Sequence, residues 1–198
     1  MRDDLFAALA GNGAAANRIL EGSNKILASE PDNAEALLWH GVGTMTSFFL
    51  DAKEGNAQAA WPKLLKATSE MDRAVELAPD DIEVRVMRAV LYAPASRNLP
   101  PSLRDDFVEK ARTDLQHTFD LQKDRLTEIG THPLGELLQA LADANSRQGK
   151  AAEAEKYYTM IQTMLKDTEY SKRASQWMTT KQPLPENRTA CVGCHIAR

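Results

Sequence analysis

The stretch Ala142-Asp143-Ala144-Asn145-Ser146-Arg147-Gln148-Gly149-Lys150-Ala151-Ala152-Glu153-Ala154-Glu155-Lys156-Tyr157-Tyr158-Thr159-Met160-Ile161-Gln162-Thr163-Met164-Leu165 decides the fold class. Its second half places Ala154, Tyr157, Tyr158, Ile161, Met164 and Leu165 at spacings of three and four, the period of an apolar stripe on one helix face. Glu155, Lys156 and Gln162 fall on the opposite side. Gln148-Gly149-Lys150 interrupts the pattern as a tight turn between two helices. Nowhere does strand-like alternation flanked by hairpin turns appear. The spacing therefore predicts an all-α chain.

Working outward, the same helix–turn–helix frame recurs. One copy begins at Ala36 to Gly41 and closes with Ala67, Met71, Ala74 and Pro79. Another runs from Ile82 and Ala89 to Ala111, Leu115 and Thr118, and a degenerate first copy passes from Leu5 through Ile19 and Ile26 to Pro31. Glu30-Pro31-Asp32 and Ala78-Pro79-Asp80 read as turns between copies, because proline cannot continue a helix and the aspartate after it is a good N-cap. In these positions the chain resembles the tetratricopeptide family, whose repeat is about 34 residues long. The resemblance covers about residues 5 to 178 and implies an array of antiparallel helical hairpins. Two connections depart from the family pattern by being longer, one from Asp51 to Trp61 and one holding Pro94 and Pro100-Pro101. A helical bundle of another kind is the alternative. The expected organisation is an array over 1–178, a proline-containing extended linker over 179–190, and a tail over 191–198.

Composition narrows the function. The 198 residues carry 43% hydrophobic and 26% charged residues, ordinary for a globular protein, with only 6% aromatics. A net charge of −4 and the lack of any Lys/Arg-rich run argue against a nucleic-acid partner. No stretch approaches the roughly 18 apolar residues of a membrane span.

Both cysteines of the chain fall in the tail, as Cys191-Val192-Gly193-Cys194-His195. This Cys-x-x-Cys-His spacing is the c-type haem attachment signature. Two thiols two residues apart can add to the two vinyl groups of one porphyrin, and the adjacent histidine can reach the iron from below. In families with this motif the cysteines hold the haem and the histidine is the proximal ligand. That implies thioether bonds at Cys191 and Cys194, His195 on the metal, and one covalent haem c. A redox disulfide and half of a zinc site are the competing readings. The first usually opens a helix in a βαβ setting, and the second requires four ligands. The resemblance to small class-I cytochromes stops at the motif, which in them lies near the N-terminus.

The sixth ligand stays open among His40, His117, His132, Met160, Met164, Met178 and water. His40 is expected in the core, His117 at the surface or rim of a helix, and His132 in a loop, capped or solvated. The methionines are expected as core filler. Asp80-Asp81 and Asp105-Asp106 are expected at helix starts, where they suit the helix dipole. No catalytic triad is legible. The expected function is an exported c-type haem protein that transfers electrons, its array docking a redox partner protein or peptide. The alternatives are a tetratricopeptide-type adaptor with a structural or sensory haem, a haem-free Cys-x-x-Cys disulfide, and a haem enzyme with an open iron. Haem attachment of this kind implies a periplasmic or otherwise exported chain. Met1-Arg2-Asp3-Asp4 carries acids where a signal has basic residues, so the expectation is a mature form whose signal segment is gone.

Overall fold

Side-chain caps start the helices where the free amides of a first turn need acceptors. In the computed structural model, which describes residues 1–96 and 99–185, the Asn12 side chain accepts from the Ala15 amide and Asn33 from the Ala36 amide. Asp81 accepts from both Glu83 and Val84 amides, and Thr168 and Ser171 form a reciprocal capping box. The caps at Asn33 and Asp81 correct the expectation of Asp32 and Asp80 by one residue. A cap must sit two or three positions before the amide it serves, and Asp32 instead pairs with Arg73 at 3.2 Å.

The described residues form helices and no strand, in the order α1 (Arg2–Leu9), α2 (Gly13–Leu27), α3 (Ala34–Lys53), α4 (Ala57–Leu77), α5 (Ile82–Ala95), α6 (Pro101–Gln122), a 3₁₀ segment (Lys123–Glu128), α7 (Thr131–Arg147), α8 (Ala151–Met164) and α9 (Glu169–Thr180). The chain is all-α. Two compact units divide it, Met1–Leu91 and Tyr92–Arg198, so their boundary falls inside α5.

In the first unit, consecutive helices run antiparallel. Arg18 pairs with Asp4 across α1 and α2. Gly13 faces Leu50 and Gly43 faces Ile19 and Leu20 across α2 and α3. Across α3 and α4, Lys63 pairs with Asp51 and His40 with Glu70. Gly41 is what brings α3 and α4 together: a Cβ there would lie 2.7 Å from the Met71 side chain and 3.0 Å from the Ala67 carbonyl. The connection expected over Asp51–Trp61 shrinks to Glu54-Gly55-Asn56, because α3 continues to Lys53 and α4 begins at Ala57. Pro62 lies inside α4, in its second turn, where it removes one ladder bond near the helix start. Pro94, expected in a connection, likewise lies in the last turn of α5.

In the second unit, Pro101 opens α6 at a position whose amide needs no helical partner. Asp105 and Asp106 therefore fall beyond the first turn of α6, contrary to the expectation, and Asp106 pairs with Lys110 one turn on. Gln148-Gly149-Lys150 is the whole turn between α7 and α8. The stripe read from the sequence is the core: Ala154, Tyr157, Tyr158 and Ile161 are fully buried, with Leu165 close behind, while Met164 is half-buried. Alternate helices run parallel. Glu109 and Gln116 of α6 reach Lys150 and Tyr157 at successive levels of α8. His132, Asp143 and Ser146 of α7 meet Tyr170, Arg173 and Trp177 of α9 in the same order. The last helix extends two residues further than the boundary expected at 178, since Thr179 and Thr180 end α9.

Candidate functional site

Cys191, Cys194 and His195 lie outside the described residues. What the structure describes is the end of the chain that leads to them and the surfaces beside it.

That end is firmly built. Trp177 is fully buried, stacks on Tyr158 with ring centroids 4.7 Å apart, and donates its indole N–H to Ser146 Oγ at 2.7 Å. The Tyr158 hydroxyl donates to Asp143 Oδ1, and burial with the neighbouring carboxylate pushes its phenol above the usual range. Arg173 donates to the other Asp143 oxygen at 3.0 Å. Two interior helices and α9 are thus joined through one carboxylate.

Beyond α9 the chain reverses. Lys181 adopts the left-handed conformation (φ 54°), closing the helix on the Trp177 carbonyl. Its ammonium lies 4.7 Å over the Trp177 ring and 2.9 Å from Glu155. Four residues later the Pro185 carbonyl accepts a 2.6 Å hydrogen bond from Arg173 of α9, twelve residues back along the chain. The segment Lys181–Pro185 is therefore a strap that returns along α9 toward its N-terminal end. The guanidinium that fixes Asp143 also holds the strap.

The N-terminal ends of α7 and α9 carry a polar relay. The Tyr170 hydroxyl stands 2.5 Å from His132 Nδ1 and 2.7 Å from Glu136 Oε1. An ionised carboxylate only accepts, so the single phenolic proton goes to Glu136 and the oxygen accepts Nδ1–H of His132. Gly135 makes the arrangement possible, because a Cβ there would lie 2.4 to 2.7 Å from the Tyr170 ring. His132 is the second residue of α7, not a loop residue, and its side chain is about one-third exposed, 36%.

The other sequence candidates are dispersed. His40 is buried in α3 and bonded through Nδ1 to Glu70 at 2.7 Å, the core position expected. His117 is half-buried on α6, beside Gln116, which receives the Tyr157 hydroxyl at the level of α8 where Trp177 stacks on Tyr158. Met160, Met164 and Met178 are all half-buried, so none is the core filler expected; Met178 Sδ lies 3.3 Å from Lys181 Nζ. A cleft in the second unit gathers Arg104, Arg147 and Lys150 around Asp105, a cationic surface without a nucleophile–base pair among these groups.

Among the described residues, no group of three or more His, Cys, Asp and Glu is placed to hold a metal ion, and no helix is long and apolar enough to cross a membrane. No family model, curated protein or solved structure matches this chain. Sequence reasoning had no access to Tyr170. Its spacing marks it only as an α9 residue, and the one signal was the small residue Gly135 on the helix opposite.

Proposed function

We propose that this chain is an exported c-type haem protein that carries electrons, with its helices as a tetratricopeptide-like scaffold for docking a redox partner. The single observation that carries the reading is the coincidence of Cys191, Cys194 and His195 at attachment spacing in a chain that has no other cysteine. The donor set suits haem c: Cys191 and Cys194 would hold the porphyrin as thioethers, and His195 would ligate the iron. The group supplies, when bound, a reversible one-electron iron couple.

The rest of the chain's contribution is retention and presentation. Covalent thioethers keep a cofactor without a deep pocket, and an exposed edge favours exchange with a partner. Lys181, Arg173 and the Pro185 carbonyl lead the chain out of α9 along a defined path as far as Pro185. Antiparallel neighbours with parallel alternate helices, seen within each unit or part of it, suit a repeat scaffold. Thioether attachment takes place outside the cytoplasmic membrane, which makes the periplasm or an equivalent compartment the proposed location.

The test is expression with haem-attachment machinery, followed by intact mass and visible spectrum. One haem's added mass and a c-type spectrum are expected, both lost or weakened when Cys191 or Cys194 is changed to Ser. A fully matured preparation without haem overturns the reading.

A further inference from the structure

We infer that the cleft between α6 and the turn joining α7 to α8 binds a small organic dianion, a phosphate monoester or a dicarboxylate. The inference stands apart from the haem reading and concerns a second site, inside the second unit.

Charge is the first argument. The chain carries a net charge of −4, yet this cleft gathers Arg104, Arg147 and Lys150 with a single carboxylate, Asp105. A surplus of positive charge is left there, and a cleft lined by one sign concentrates ions of the other. Among the described residues no carboxylate pairs with either arginine; the hydrogen bond Arg104 makes is to the Leu99 carbonyl, at 3.2 Å. Lys150 is held loosely, with Glu109 3.4 Å away. That carboxylate already accepts from two Arg112 nitrogens, at 3.0 and 2.5 Å, and from Gln148 at 2.7 Å. The Lys150 ammonium can therefore turn to an incoming oxyanion without leaving Glu109 uncompensated.

Shape and donor chemistry are the second. The Gln148 amide ties the turn to α6 through Glu109, and Gly149, at φ 72°, lets that turn be tight, so the two walls are set before a ligand arrives. The cleft has a volume of about 720 Å³, within the range of small-molecule sites and far beyond the size of a bare inorganic ion. Val108 of α6 adds an apolar surface for a carbon skeleton. A guanidinium fork matches the paired oxygens of a carboxylate or a phosphate, and two forks in one cleft suit a ligand with two negative charges. Asp105 can accept from a hydroxyl on the same ligand.

The experiment is calorimetric titration of the full chain at low ionic strength. The probes are succinate and glucose 6-phosphate, with acetate and glucose as the monoanionic and neutral controls. Saturable one-to-one binding of at least one probe is expected, and which one binds tells a dicarboxylate site from a phosphate-ester site. Arg104→Ala and Arg147→Ala are each expected to weaken binding about tenfold or more, as loss of a charged hydrogen bond does. Arg147→Lys keeps the charge but loses the fork, and falls between. Asp105→Asn removes the one repulsive group and is expected to tighten binding. Both arginines are exposed, so melts of the variants should match the parent; the Lys and Asn variants read the site even where an alanine variant folds poorly. Failure of both probes to bind overturns the inference, even if an acidic peptide binds, since the cleft would then be a protein-docking surface. Acetate binding as tightly as the probes, or binding that survives both arginine-to-alanine changes, overturns it as well.

Discussion

Tyr158 concentrates several kinds of interaction at one position. Its ring is fully buried and stacked on Trp177, while its hydroxyl meets a carboxylate that Arg173 also uses. Truncation to Ala is expected to cost about 3 to 5 kcal/mol in a denaturant melt, the usual range for a large core aromatic. Tyr158→Phe keeps the stack and is expected to cost only about 1 to 2 kcal/mol, since Asp143 retains Arg173 as a donor. A second residue-scale effect sits at Glu109. The Arg112 guanidinium, helped by Gln148 and Lys150, holds its carboxyl at about 2, well below the ordinary 4.5. A depressed carboxyl adds stability that is full above its unfolded value and fades as pH falls from about 4.5 through about 2. Because the side chain is nearly half exposed, 47%, the effect is expected to stay under roughly 1 kcal/mol. Melts of the parent and Glu109→Gln should differ at pH 6 and converge near pH 2; a constant gap across that range would contradict the assignment. Periodicity alone marks Tyr158 as buried. It says nothing of Gln148 and Lys150, which reach Glu109 from 39 and 41 residues away at the turn between α7 and α8.

Helices in this chain meet through glycines as much as through apolar stripes. Gly41 admits Met71 and the Ala67 carbonyl, so α3 and α4 approach closely over their 20 and 21 residues. Gly41→Ala forces a backbone oxygen and a buried side chain to move together. Overpacking of this kind is expected to cost about 1 to 3 kcal/mol, read as a lower melting temperature. Ala at the exposed Gly11 turn meets no atom within 4 Å, but strains a residue at φ 106°, so it separates packing from backbone effects. The helices are legible in the sequence as spaced apolar residues. The helix ends are not. The caps fall one residue after the aspartates that follow proline, and two expected loops became helix. Those outcomes depend on which side chain reaches a free amide and on whether a ladder can run through a proline near a helix end.

At the scale of the molecule, the proposed haem reading puts retention of cofactor and stability of the helical core in different parts of the chain. The core described for the second unit closes with Trp177, 14 residues before Cys191. His195→Ala is therefore expected to change the iron spectrum while leaving helical content and apo-protein melting nearly unchanged, by circular dichroism. Unfolding of the apo-protein by that substitution, or an unaltered spectrum, would refute the division. Arg173→Ala is the complementary case. It removes the donor to both Asp143 and the strap, so it should lower stability and loosen the strap at Pro185 together.

The sequence by itself determined the all-α class, the core stripe of α8 and the turn at Gln148-Gly149-Lys150, because each is a local pattern of a few residues' spacing. The tertiary structure alone decided that α7 and α9 run side by side in the same direction, that the strap turns back at Lys181, and that Tyr170 meets His132 across 38 positions. Those contacts arise from how helices separated in sequence settle against one another, with Gly135 providing the room. No spacing along a single helix encodes that approach.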